Sequence, residues 1–236
     1  MAVVHLDVRR VAAIALAAVG FLSLLGAVAV ADTLIGTDSD DQLVGTPNPD
    51  QLYGEEGNDY VTGEASNDYL EAGPGDDEIL GGDGIELAIG GTGDDRIDAG
   101  PGGDVVYAGA GEDLVMGGNG ADTLFGQADS DQLFGGAGGD RIYASLGPDY
   151  VEAGSGADRV SSEGDVTISA GADDDVVTAA GGIAQVQGGW GDDRIRTGDA
   201  DDPVTGGSGH DSIATGAGDD MVRARDGQAD RIDCGP

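Results

Sequence analysis

From Asp32 onward an aliphatic residue returns at every ninth position. Leu34, Leu43, Leu52, Val61, Leu70, Ile79, Ala88, Ile97, Val106, Val115, Leu124, Leu133, Ile142, Val151 and Val160 keep this step without a slip. Two residues before each stands an acid, from Asp32 to Asp158, with Glu86 the one departure from aspartate. Ile168 arrives one residue early and has Val166 in place of the acid. The step then resumes through Val177, Val186, Ile195, Val204, Ile213 and Val222, with Ala184 as the second missing acid. One extra residue precedes the last unit, Asp230 and Ile232. Six residues rich in Gly, Asn and Asp cannot sustain a helix, but they supply the positive φ angles and close backbone approach of a tight turn. The three residues centred on each aliphatic suffice for a short strand whose middle side chain points to one face and its neighbours to the other. The pattern therefore predicts turn, strand, turn, strand in coils of 18 residues. Stacking these coils forms two parallel sheets with the aliphatics between them. About eleven coils at ~4.8 Å spacing give a prism roughly 50 Å long.

The turns carry a recognisable motif. Gly90 to Asp98 reads G-G-x-G-x-D-x-U-x, with U aliphatic, and Gly117 to Phe125, Gly135 to Tyr143, Gly188 to Arg196 and Gly206 to Ala214 are equally complete. Over residues 32–233 the chain resembles the RTX family, the calcium-binding nonapeptide repeats of haemolysin-type exported proteins. The resemblance implies an all-β fold, a parallel β-roll, with Ca²⁺ bridging turns one coil apart through the repeat aspartate and main-chain carbonyls. Carried onto this chain, the bridged pairs are Asp77 with Asp95, Asp95 with Asp113, Asp104 with Asp122, Asp122 with Asp140, Asp140 with Asp158, and Asp193 with Asp211. The full set of candidate ligands adds Asp59, Asp175, Asp202 and Asp220. The turns Gly45–Asp50 and Gly126–Asp131 lack internal glycines, and with the acid-less units at Val166 and Ala184 they are expected to hold ions weakly or not at all.

Composition explains why an ion is needed. The 236 residues include 46 glycines, 46 acids and only 10 basic residues, all arginine, for a net charge of −36. Binding to a nucleic-acid backbone or an anionic membrane surface needs the opposite sign. One aliphatic per nine residues is little core for so much ordered backbone. Stacked coils also bring like carboxylates about 5 Å apart, as in Asp104, Asp122, Asp140 and Asp158, where each pair repels by roughly 1–4 kcal/mol. A hard dication reverses that sign, and Ca²⁺ takes six to eight oxygens from carboxylates and carbonyls in flexible geometry. Zinc has no candidate cluster, since His5, His210 and Cys234 stand apart. The expectation is a chain that is disordered without calcium and folded with it.

At the N-terminus, Arg9 and Arg10 precede an uncharged run from Val11 to Ala31 that ends in Ala-x-Ala steps. This reads as a secretory signal helix, or alternatively a retained anchor, over residues 1–31. The single Cys234 allows no internal disulfide in what would be an exported chain. Residues 32–160 are expected to form a first block of the roll, 161–187 a degraded stretch where the deletion offsets the stack, and 188–236 a short second block with an uncapped end. Tyr107, Phe125 and Tyr143, 18 residues apart, are expected to form an outward aromatic ladder. The functional expectation is a secreted, non-catalytic calcium-binding module, structural or adhesive. Its partners would be calcium, an extracellular polysaccharide or protein, or a second copy at the open C-terminal end. The competing expectation is a secreted enzyme acting on polysaccharide.

Overall fold

A computed structural model of the chain describes residues 32–235. The proposed signal helix lies outside the described residues. Twenty-three strands alternate strictly between two parallel sheets. The 12-stranded sheet runs from Thr33–Ile35 to Arg231–Asp233 and the 11-stranded sheet from Gln42–Val44 to Met221–Arg223. The nine-residue step produces this alternation, because each unit crosses to the opposite sheet and the next returns. Strands therefore pair with the unit 18 residues on, as in Leu52 with Leu70, Leu70 with Ala88, Ala88 with Val106, and Val106 with Leu124. The repeat aliphatics face inward from both sheets and make one continuous core. From Leu52 to Val151 every one of them is fully buried. Only at the ends does the core open: Leu34 and Val222 are partly buried, and Ile232 is 47% exposed.

Strands at both ends of the roll have the three residues expected, but most in its middle are longer. Leu87–Thr92, Arg96–Pro101, Val105–Ala110 and Leu114–Asn119 each run six. The second residue after the aliphatic again points inward, and Ala72, Ala99, Ala108, Ala144 and Ala153 are fully buried there. The next residue turns the corner with positive φ, 133° at Gly91 and 130° at Gly109, while still pairing Gly73 with Gly91 and Gly91 with Gly109. Coils of equal length stack turn upon turn, so the hydrogen-bond ladder continues around the corner. Gly93 donates to the Ala110 carbonyl at 2.8 Å and Gly120 to that of Ala137 at 2.6 Å.

Both sheets run through residues 161–187. The deletion is absorbed within one strand pair: Tyr143 still faces Ser161, but Ser145 faces Ser162, and the offset drops from 18 to 17. Ser145 takes a φ of 65° at that point. The other sheet enters the new offset cleanly, with Asp149 opposite Val166 and Val151 opposite Ile168. The extra residue before Asp230 is accommodated in the same way, Ile213 pairing with Ile232 at an offset of 19. A solenoid tolerates such changes because each coil contacts only its neighbours.

Candidate metal centres

Each repeat aspartate closes a turn and opens a strand, one residue before the first outward side chain. That position puts its carboxylate inside the corner of the roll, and Asp95, Asp104, Asp113, Asp122, Asp140, Asp158, Asp175, Asp193 and Asp202 are all at most 2% exposed. One oxygen of each has a fixed partner in the preceding coil. Oδ1 of Asp95 accepts the N–H of Asp77 at 2.9 Å, Oδ1 of Asp113 that of Asp95 at 2.8 Å, and Oδ1 of Asp122 that of Asp104 at 2.8 Å. The same bond joins Asp122 to Asp140, Asp140 to Asp158, Asp158 to Asp175, Asp175 to Asp193 and Asp193 to Asp211. At the remaining expected positions Asp59, Asp77, Asp104, Asp202 and Asp220 accept from Asp41, Asp59, Glu86, Ala184 and Asp202. The two edges of the roll thus carry two rows of carboxylates, one continuous through Glu86 and the other broken at Val166 and Ala184.

The second oxygen has no partner. Oδ2 of all thirteen expected ligands is buried and unbonded. It folds back over the first glycine of its own turn, toward a carbonyl of the following coil. A Cβ placed on Gly117 would lie 2.7 Å from Asp122 Oδ2 and 2.7 Å from the Gly135 carbonyl oxygen. That glycine is required because the side-chain and main-chain oxygens converge over it. A buried, unpaired carboxylate oxygen is expensive, and native proteins keep only a few such atoms per hundred residues.

Burial also pushes the carboxyl groups out of their usual range. It is the main cause at Asp95, raised to about 8, with the neighbouring carboxylates of Asp113 and Asp77 adding to it and the hydrogen bond from Asp77 opposing it. Asp122 is raised to about 6 for the same reason, with Asp140 and Asp104 contributing, and Asp158 and Asp175 to about 7. A group buried beside like charge holds its proton unless a cation takes the proton's place.

Three further aspartates, Asp68, Asp131 and Asp149, have the same buried and unbonded Oδ2. They stand on the nine-residue step, which was the signal for them. Asp131 falls in a turn without internal glycines, yet Gln127 and Asp129 adopt the left-handed backbone there with φ of 78° and 77°. Backbone stacking imposes the turn shape even where the residue type resists it. Glu86 is different. Its longer side chain buries both oxygens without partners, and no hydrogen bond to it from the Asp68 N–H replaces the one that aspartate makes elsewhere. In the first two turns, by contrast, Thr37 and Thr46 donate backbone N–H and hydroxyl to Oδ2 of Asp41 and Asp50. Those two carboxylates are satisfied within the protein.

Among the described residues no three His, Cys, Asp or Glu side chains converge as a metal cluster. His210 Nδ1 faces the Ala229 carbonyl at 3.1 Å on an exposed turn, and Cys234 is exposed and free. The oxygens that do converge are a carboxylate and main-chain carbonyls, the hard donor set that suits Ca²⁺ and not Zn²⁺. Residues 29–47, 44–79, 80–115, 107–142, 134–165, 160–185 and 187–224 match the family model of the RTX calcium-binding nonapeptide repeat. The chain belongs to this family. Its RTX repeats occupy nearly all of both sheets, and calcium is the partner that such repeats bind. No curated protein matches the chain.

Proposed function

We propose that the chain is a secreted, non-catalytic module that calcium folds into a rigid rod with a structural or adhesive role. The observation that carries this reading is the pair of carboxylate rows, each with a buried oxygen left unbonded by the protein. Asp59, Asp77, Asp95, Asp113, Asp104, Asp122, Asp140, Asp158, Asp175, Asp193, Asp211, Asp202 and Asp220 would hold the ions, together with the carbonyls that lie over the first glycine of each turn. Calcium would supply the positive charge that two stacked carboxylates need. The protein's own part is to fix Oδ1 through the backbone N–H of the coil before, which in the folded roll leaves Oδ2 aimed at the ion. Asp68, Asp131 and Asp149 share this geometry and join the set.

Export is supported by the N-terminal sequence, with Arg9 and Arg10 before the uncharged run to Ala31. A chain unable to fold at cytosolic calcium would remain threadable for export and fold outside, where modules of this kind bind at about 10⁻⁴–10⁻³ M. The non-catalytic reading is supported by the fact that every described strand belongs to the two sheets of the roll. The test is far-UV circular dichroism and isothermal titration on the chain from residue 32. Cooperative gain of β signal over millimolar calcium, reversed by EDTA, is the expected result. The same β signal in EDTA and in calcium at neutral pH would overturn it.

A further inference from the structure

We propose that the outer face of the 12-stranded sheet binds an acidic polysaccharide of the polyuronate type, laid across the strands along the axis of the roll. This inference rests on the calcium-ordered rod and names what the rod holds. The chain has few cations to place, and five of its ten arginines fall on this one face: Arg141, Arg159, Arg194, Arg196 and Arg231. All five are exposed. Among the described residues the one ion pair is Arg96 with Glu78, at 3.9 Å on the other sheet, so none of the five meets a carboxylate.

The sheet register arranges these residues in a line. Arg141 lies beside Arg159, then come Val176, Arg194, Ser212 and Arg231 in successive strands. The parallel line of outward positions holds Tyr143, Ser161, Thr178, Arg196 and Ala214. From Arg141 to Ala214 neither line contains an acid. Like charges placed side by side in a ladder destabilise a sheet unless something bridges them. Here the neighbours are short side chains that leave the guanidinium groups open above them.

At its N-terminal end the cationic line meets an aromatic one. Tyr107 and Phe125 stack at a centroid distance of 4.7 Å and 3° between planes, Phe125 and Tyr143 at 4.7 Å and 7°. Tyr143 and Arg141 sit on the same strand and on the same face. The outward edges of these stacked rings give an apolar strip for the C–H groups of sugar rings, and it runs into forked donors for carboxylates, the pairing of chemistries that an acidic sugar chain calls for. The strand spacing of ~4.8 Å is close to the advance of one pyranose ring in an extended glycan, so successive strands can meet successive rings. The overall negative charge of the chain does not forbid this. Charges further than about 10 Å are largely screened at 0.1 M salt, and bound calcium neutralises the turns.

The experiment is isothermal titration of the chain, folded in calcium as verified by circular dichroism, with a short oligogalacturonate that does not gel. An uncharged malto-oligosaccharide and a short DNA duplex are the comparison ligands. Binding of the uronate alone is expected, weakening as salt rises. Arg141→Ser, Arg159→Ser and Arg194→Ser together should lower affinity at least about tenfold, each exposed contact contributing a factor of up to about five. Arg223→Ser on the opposite sheet should leave it unchanged, and Arg196→Ser alone serves if the triple variant does not fold. A folded chain that ignores the uronate, binds the neutral sugar or the DNA as well, or binds undiminished without its arginines overturns the proposal. Uronate binding without any calcium-induced change in circular dichroism would instead sink the calcium reading and leave this one standing.

Discussion

Removing calcium should make this protein fold better in mild acid than at neutral pH, the reverse of ordinary acid denaturation. The reason lies in the buried carboxylates. Asp122 has a folded value of about 6 and Asp95 one of about 8, against 3.8 for each when free in water. A carboxyl whose value is raised by folding favours the fold fully below its unfolded value, and that contribution is lost as pH rises through the folded one. At pH 7 the ionisation of Asp122 weakens the fold by about 3 kcal/mol and that of Asp95 by about 4 kcal/mol, at 1.36 kcal/mol per pH unit. At pH 5 each loses only about 2 kcal/mol, so acidification returns about 1–3 kcal/mol per group. Asp68, Asp77, Asp113, Asp149 and Asp193 lie with Asp122 at about 6, and Asp131, Asp158 and Asp175 at about 7. Together these gains rival the whole stability of a typical domain, about 5–15 kcal/mol.

The assay is far-UV circular dichroism with small-angle scattering, in EDTA and in saturating calcium, between pH 7 and pH 5. In EDTA the β signal should rise and the radius fall as pH is lowered. In calcium the direction reverses, because protons compete with the ion for the same oxygens. A chelated chain whose β signal is flat or falling over this range would refute the reasoning, since the carboxylates would then not be what opposes folding.

The turns make sharper tests. Gly120→Ala would drive its Cβ into the Gly102 carbonyl at a φ of 138°, whereas a Cβ on Gly103 has its nearest neighbour 3.6 Å away. The first should raise the calcium midpoint of folding steeply, or abolish folding, and the second should shift stability by no more than about 0.5 kcal/mol. Glu86→Asp should restore the missing acceptor for the Asp68 N–H and raise the melting temperature in calcium, read by scanning calorimetry. Phe125→Ala breaks two ring stacks at once and should lower stability by about 1–3 kcal/mol in calcium, measured by urea unfolding.

Much of this was written in the chain. A step of nine with one aliphatic admits few other structures, because only a coil of two units brings every such side chain to a common interior. The aspartate two residues before the aliphatic was equally visible, although the turn Gly126–Asp131 takes its shape without the internal glycines that signal it elsewhere. Gln127 and Asp129 show why: a stacked neighbour on either side can force a left-handed backbone that the residue itself disfavours. The six-residue strands were hidden for a related reason. Gly-Gly reads locally as a turn, and only the coil above and below makes its backbone part of a ladder.

The arginine line was the least legible feature, and the reason is geometric. In the sequence Arg141, Arg159, Arg194 and Arg231 are separated by 18, 35 and 37 residues, which share no common period. The 35 is two coils shortened by the one-residue deletion, and the 37 is two coils lengthened by the insertion before Asp230. Only when the strands are paired do the irregular spacings become an aligned row, with Arg159 reaching Arg194 through Val176 and Arg194 reaching Arg231 through Ser212. The deletion is taken up at the register shift after Tyr143 and the insertion ahead of Arg231, and neither tips the outward residues to the inner face, which a one-residue slip ahead of them within a strand would do. Strand pairing continues across the deletion, so the outward residues form one face, aromatic at one end and cationic at the other.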